Sequence, residues 1–142
     1  FLDRIDIGVE VPRQDLGMMS AEKSIDEGSF PQAEQRNSSA VMRARVMEAR
    51  ARQEKRFADE SISYNSQMTR RQIEEYCRLS GEDAVFLEKV ERQQGISARG
   101  HGKILKVART LADLDGQAEI GRTQLAEAIG FRSFEKKYWG SL

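Results

Sequence analysis

The feature that most constrains the fold is a series of helix start and stop signals that begins at residue 38. Side chains that cap helix N-termini precede four amphipathic stretches, namely Ser38 or Ser39, Thr69, Ser80 and Ser97. Gly95 and Gly116 stand where two of these stretches end. The stretch after Ser97 runs to Leu114 with apolar residues on one helical face. The sequence therefore predicts a mainly α-helical bundle over residues 38–142.

The first 37 residues have a different pattern. Apolar side chains at Ile5, Ile7, Val9 and Val11 alternate with other residues, which indicates a β-strand with one buried face. Pro12 ends this strand, and a single strand needs partners from elsewhere. Residues 13–37 are rich in Gly, Ser, Asp and Gln and are predicted to form a flexible loop. Because the chain begins at Phe1, in the middle of a pattern, we expect a fragment of a longer protein.

The charges of the chain balance only in total. It has 142 residues with 23 Lys and Arg against 23 Asp and Glu, but the first 37 residues hold eight acids and four bases. Neutrality argues against a protein that binds nucleic acid over its whole surface, and it leaves room for a local basic patch. The helix predicted over 38–60 has such a patch, because Arg45, Arg52 and Arg56 flank one side of its apolar stripe. Those arginines contact DNA or a neighbouring subunit, or they belong to a solvated helix face.

Three other features of the sequence contain residue types that can carry chemistry. The glycines at 95 and 100 have the outer spacing of a phosphate-binding P-loop, but His101 stands where Lys is required and a helix precedes Gly95. We therefore reject a P-loop. His101 has no metal-ligand partner at a suitable spacing and is predicted to be a packed, hydrogen-bonded side chain. Cys77 is predicted to be a core residue.

Arg99 and Arg4 are the more informative residues. Arg99 lies in the first turn of the helix capped by Ser97, on a polar face predicted to include Lys103, Lys106 and Arg109. A helix N-terminus favours anions, and an arginine adds a forked donor for phosphate. The alternative for Arg99 is a solvated basic face, and the alternative for Arg4 is a local salt bridge at the start of the strand.

Four stretches of the chain resemble the magnesium-chelatase-like AAA+ ATPases, and more narrowly their competence-associated branch. Residues 1–12 (FLDRIDIGVEVP) are similar to the "LLDRIDIHVEVP" stretch of that family, and residues 38–50, 96–116 and 120–132 follow in the same order and spacing. The resemblance implies that residues 1–12 end an AAA+ core, that 13–37 form a loop, and that 38–142 form a C-terminal helical lid.

The resemblance also implies roles for two arginines. Arg4 resembles an arginine finger that acts in trans on ATP bound by a neighbouring subunit, and Arg99 resembles a sensor-2 arginine that binds ATP from the lid. The full-length protein is then expected to use ATP with Mg²⁺, whereas the fragment, without P-loop and Walker B strand, is expected to bind no cofactor and to be inactive alone. No metal-ligand residues are expected in it.

The expected partners are the protein's own N-terminal core, the neighbouring subunits of a homo-hexamer and DNA, with no membrane contact and a cytoplasmic location. The resemblance leaves open whether the substrate is DNA, a porphyrin or a protein. An alternative function is a self-standing helical protein-interaction module that has no role with nucleotides.

Overall fold

Residues 4–11 and 38–132 are described by the computed structural model, and α-helices make up most of them. The helices are α1 (Ser39–Arg56), α2 (Arg70–Tyr76), α3 (Gly81–Gln94), α4 (Ala98–Leu114) and α5 (Arg122–Gly130), with a 3₁₀ turn at Asn65–Gln67. The prediction of a mainly α-helical bundle is confirmed. The loop predicted over 13–37 lies outside the described residues, and so do the last ten residues of the chain.

The helices begin and end at the side chains that the sequence indicated. The hydroxyl oxygens of Ser38 and Ser97 accept hydrogen bonds from the third residue of α1 and of α4, at 3.4 and 3.2 Å. Thr69 and Gln72 form a reciprocal capping box at the start of α2. Gly95 and Gly116 have φ angles of 68° and 71°, a left-handed conformation that side chains with a Cβ rarely adopt. Helix α1 is four residues shorter than predicted, because it ends at Arg56.

Helix α4 is the centre of the bundle, and α1, α2 and α5 pack around it. Its apolar face is fully buried at Ile104, Ala108 and Ala112. The rest of the core comes from the surrounding elements: Phe57, Met68, Cys77, Leu87, Ile120, Leu125, Ala128 and Ile129. Cys77 is 3% exposed, as predicted for a core residue. None of the described helices, α4 included, is long and apolar enough to cross a membrane.

One prediction for α4 is wrong, because Arg109 does not lie on an exposed polar face. Its side chain is 4% exposed, and its guanidinium donates to the carbonyl oxygens of Gln117 and Ala118 at 2.8 and 2.9 Å. After α4 ends, the turn at Gly116 brings these carbonyls back over Arg109. Burial lowers the pKa of the Arg109 guanidinium, and the nearby Asp113 carboxylate opposes that shift.

The N-terminal segment forms no strand within the described residues. Its four alternating apolar side chains are between 42 and 82% exposed. The face that they were predicted to bury is therefore not covered by any of the described residues. The segment is held against the bundle by a hydrogen bond from the Gly8 amide to the Phe131 carbonyl at 3.1 Å and by an ion pair of Asp6 with Lys103 at 2.7 Å. A strand needs a pairing partner, and the described part of the chain supplies none for residues 5–11.

Candidate functional site

A groove of about 1480 Å³ opens beside α2, α3 and α4, and Arg4, Asp6 and Ile7 contribute to its lining. Buried apolar side chains form part of that lining, among them Met68, Cys77, Leu87 and Leu105. The first turn of α4 also lines the groove and brings the N-terminal end of that helix to it. A helix N-terminus carries a partial positive charge and favours anions.

The carboxylates that line the groove each have a basic side chain as partner, a Lys or Arg for three of them and a His for the fourth. The four pairs are Asp6 with Lys103 at 2.7 Å, Glu74 with Arg70 at 3.2 Å, Glu88 with Arg92 at 2.7 Å, and Glu91 with His101 at 2.6 Å. Asp6, Glu74 and Glu88 of the described lining are thus each next to a Lys or Arg side chain, and Glu91 is next to the imidazole of His101.

Arg4 and Arg99 differ from the other basic residues of the groove. Both side chains are exposed and line it, and neither makes a hydrogen bond or an ion pair with any residue of 4–11 or 38–132. The local salt bridge considered for Arg4 is therefore absent from the described part of the chain. Arg4 and Arg99 lie 95 positions apart in the sequence, yet both line this groove with guanidinium groups that have no partner among the described residues.

The geometry of the first turn of α4 depends on Gly100. A Cβ atom at this position would lie 2.7 Å from the Cγ2 atom of Ile96, which is closer than side chains approach in proteins. The absence of a Cβ lets Ile96 pack on the helix start, one residue before the Ser97 cap. This close packing fixes the corner between α3 and α4 from which Arg99 projects.

The arginines of α1 lie at the opposite end of α4. Arg45 is 3.6 Å from Asp115, and Arg52 donates to the carbonyl oxygen of Asp113 at 3.0 Å. Arg56 pairs with the Asp113 carboxylate and has a side chain only 16% exposed. The side chains of Arg45 and Arg52 are 56 and 38% exposed, and Arg52 also pairs with Glu48 at 3.8 Å, whereas Arg56 is committed to contacts inside the bundle.

A buried polar network that the sequence did not reveal surrounds Asp113. Its side chain is fully buried and accepts a hydrogen bond from the Asn65 amide nitrogen at 2.8 Å, in addition to its pairs with Arg56 and Arg109. Gln53 accepts a hydrogen bond from the Asn65 backbone at 3.0 Å. The available signals were a polar residue on the apolar stripe of α1 and an acid inside the apolar run of α4. Among the described residues, no cluster of His, Cys, Asp and Glu is arranged to hold a metal ion.

The fold and the groove define a class of protein, a helical domain with a groove at the N-terminal end of its central helix. The particular family follows from comparison with known sequences. Residues 36–132 match the family described as magnesium chelatase, subunit ChlI C-terminal, and the chain belongs to that family.

Curated relatives place the chain more closely. It is 38% identical over 133 residues to the competence protein ComM of Haemophilus influenzae, covering 94% of this chain and 23% of that protein. It is 37% identical over 136 residues to the uncharacterized protein YifB of Escherichia coli, covering 96% of this chain and 24% of that protein. The predicted resemblance to the competence-associated branch is confirmed. The chain spans about a quarter of the length of these relatives.

Proposed function

We propose that this domain is the lid of a magnesium-chelatase-like AAA+ ATPase that works as a ring of identical subunits. In this proposal Arg99 contacts the phosphates of ATP as the sensor-2 residue, and Arg4 is an arginine finger toward ATP held by a neighbouring subunit. Mg²⁺ accompanies the nucleotide, and the P-loop and Walker B residues belong to a core that is not part of these 142 residues.

The observation that carries the proposal is the pair of available arginines in one groove. Phosphoryl transfer is catalysed mainly by charge placed around the transferring group, so an uncommitted guanidinium is the useful form of an arginine there. Arg4 and Arg99 have this form, whereas the carboxylates around them are already paired. Because both residues line the same groove, a nucleotide that a neighbouring subunit holds against this groove is open to contact by Arg4 and Arg99.

The test of Arg99 is the ATPase rate of a protein that joins this domain to its nucleotide-binding core. Arg99→Ala is expected to lower kcat roughly 100-fold, which is a typical cost of losing one charge-stabilising donor. Arg92→Ala is the matched control, because Arg92 is 79% exposed, pairs with Glu88 and does not line the groove. Equal turnover in both variants would remove the sensor-2 assignment.

Arg4 needs a test that separates action in trans from action within one subunit. Subunits with Arg4→Ala and an intact P-loop are mixed with subunits that have Arg4 and an inactivated P-loop. If Arg4 acts in trans, mixed rings regain ATPase activity that neither variant has alone, because an intact P-loop then meets an intact finger. A mixture as inactive as its two components contradicts the role in trans.

We propose further that the ATPase acts on DNA through α1. Arg45 and Arg52 support this role with side chains 56 and 38% exposed, and Arg56 supports it less because it is buried against Asp113. In a salt titration of duplex binding, Arg45→Ala/Arg52→Ala is expected to reduce the log–log slope by about 2, or about 0.9 per lost phosphate contact. Arg70→Ala/Arg92→Ala removes the same charge elsewhere and is expected to leave the slope unchanged. Equal slopes in the two variants contradict a DNA contact by α1.

A second candidate function is a helical protein-interaction module, and one observation favours it. The first half of α1 exposes four large apolar side chains, Val41, Met42, Val46 and Met47, by 40 to 57%. If interaction were the whole function, Met42→Ser/Val46→Ser would disrupt assembly measured by sedimentation, while Arg4→Ala and Arg99→Ala would leave ATP turnover unchanged. The ATPase proposal expects the opposite result for the arginine variants.

A further inference from the structure

The segment that carries Arg4 is anchored to the bundle at the two residues that follow it. The Nζ atom of Lys103 lies 2.7 Å from Oδ1 of Asp6 and donates to the carbonyl oxygen of Ile5 at 3.4 Å. The guanidinium of Arg132 donates to the same carbonyl oxygen at 3.4 Å. Because consecutive Cα atoms are only about 3.8 Å apart, contacts at Ile5 and Asp6 restrict where Arg4 can lie.

Lys103 joins this segment to the helix that carries Arg99. It lies one turn after Arg99 on the same face of α4, and both side chains line the groove together with Arg4. The Lys103 side chain is 14% exposed, although that of Asp6 is 61% exposed. Solvent and salt screen a partly buried charge less than an exposed one, so Lys103 is suited to hold its partner in place.

We propose that Lys103 is a positioning residue for Arg4, because its contacts with Ile5 and Asp6 hold the Arg4 segment against α4. Arg4 and Arg99 then approach the nucleotide of a neighbouring subunit together, both carried by one helix. Without the charge of Lys103, the Asp6 carboxylate loses its ion pair and Arg4 is held less firmly at the groove. This inference rests on the proposed role of Arg4 as an arginine finger in trans.

The first experiment measures kcat for ATP hydrolysis in the protein that joins this domain to its nucleotide-binding core. Lys103→Met removes the charge and keeps an apolar stem, and it is expected to lower kcat roughly tenfold, since a misplacement of about 1 Å can cost up to about 100-fold. Lys103→Arg keeps the charge and is expected to retain most of the rate. Lys89→Met is the matched control, because Lys89 is an exposed lysine of α3 that does not line the groove.

Asp6 separates positioning from a direct contact between Lys103 and phosphate. If Lys103 positions Arg4, Asp6→Asn is expected to lower kcat as Lys103→Met does. If Lys103 itself bound phosphate, Asp6→Asn would free its ammonium group and leave kcat unchanged or higher, which would contradict the inference. Asp6 is exposed and lies outside the helices, so Asp6→Asn remains a test even if Lys103→Met fails to fold.

Mixed rings show in which subunit Lys103 acts. One kind of subunit has Arg4→Ala and an intact P-loop, and the other supplies Arg4 and has an inactivated P-loop. Lys103→Met in the subunits that supply Arg4 is expected to lower the restored ATPase rate roughly tenfold, and in the Arg4→Ala subunits to change it less than about twofold, because no finger is left to position there. Equal losses on both sides indicate a merely structural role and contradict the inference.

The failure of this inference is distinct from the failure of the proposed function. If rings with Lys103 in every subunit regain no activity on mixing, the role of Arg4 in trans is wrong and the role of Lys103 falls with it. If those rings regain activity and Lys103→Met in the subunits that supply Arg4 does not reduce it, the arginine finger stands and only the positioning role of Lys103 is overturned.

Discussion

The guanidinium of Arg56 and the carboxylate of Asp113 form a two-point ion pair that joins the last turn of α1 to the last turn of α4. One nitrogen of Arg56 lies 2.9 Å from Oδ2 of Asp113 and the other lies 2.5 Å from Oδ1. Asp113 is fully buried, so this pair, with Asn65 and Arg109, compensates a charge that has no access to water. Helix α1 is therefore attached to α4 through a buried polar contact. Removal of any one of its side chains would leave another buried polar group without its partner.

The first prediction concerns Asp113. Replacing one partner of a buried ion pair leaves the other charge buried and uncompensated, so Asp113→Ala is expected to lower the free energy of unfolding by about 3–5 kcal/mol. Glu48→Ala removes an acid whose side chain is 70% exposed and pairs with Arg52 at 3.8 Å, and it is expected to cost at most about 1 kcal/mol. Urea denaturation followed by circular dichroism measures both. Similar costs for the two variants would show that the buried network contributes little.

The second prediction concerns two glycines in α4. Gly100→Ala is expected to destabilise the domain by about 1–3 kcal/mol, since the new Cβ would lie 2.7 Å from Ile96 and force it to move. Gly102→Ala is the control in the same helix, because its Cβ meets only an ordinary contact with Ile73 at 3.5 Å. That control is expected to stabilise the helix by up to about 1 kcal/mol. Thermal unfolding distinguishes them, and two shifts of the same sign contradict the packing argument.

The third prediction concerns the pH dependence that arises from Asp83. Its hydrogen bond with Arg122, followed by that with the Ser80 hydroxyl, lowers the pKa of the Asp83 carboxyl below the usual 3.8, and burial opposes the shift. Because the pKa is lower in the folded state, this contribution to stability is present above about pH 4 and is lost as pH falls through the folded value. The free energy of unfolding is therefore expected to fall more steeply below pH 4 in the unchanged protein than in Asp83→Asn. If the free energy of unfolding falls equally steeply with decreasing pH in both proteins, the contribution of Asp83 is contradicted.

The local signals in the sequence predicted the helices well, because caps and glycines act within a single turn. Ser97 and Gly95 define the start of α4 and the end of α3 by contacts that span only three or four residues. The buried state of Arg109 was not predictable in this way, since it depends on carbonyls that the turn at Gly116 brings back. The position of Arg109 on the helix is the same whether its side chain is exposed to solvent or covered by backbone, so the sequence pattern does not distinguish the two cases.

The candidate site was predictable in part, for a related reason. The resemblance indicated Arg4 and Arg99, but their presence in one groove depends on how residues 4–7 dock on α4, through Asp6 and Lys103. The pairing of Glu91 with His101 was also hidden, because it links two helices across the Gly95 corner. The spacing of residues in the sequence predicts which side chains share one face of a helix. It does not predict which side chains of two different helices touch, because that depends on how the helices pack.

The last prediction concerns the thiol of Cys77, which is 3% exposed. Burial raises its pKa from 9.0 to about 11, although the nearby Arg109 and Arg56 oppose the shift. Because the folded-state pKa is higher than the unfolded one, the related stability is fully present below pH 9 and is lost as pH rises from 9 toward 11. Cys77→Ala is expected to be less stable because it leaves a small cavity. Its free energy of unfolding is expected to depend less on pH between 9 and 11 than that of the unchanged protein.

The same burial predicts how fast Cys77 reacts. At pH 8 the protonated, buried thiol is expected to react with a disulfide reagent only as fast as the domain opens, and addition of urea is expected to accelerate the reaction. Rapid labelling of the folded domain at pH 8 contradicts the burial of Cys77 between α2 and α4.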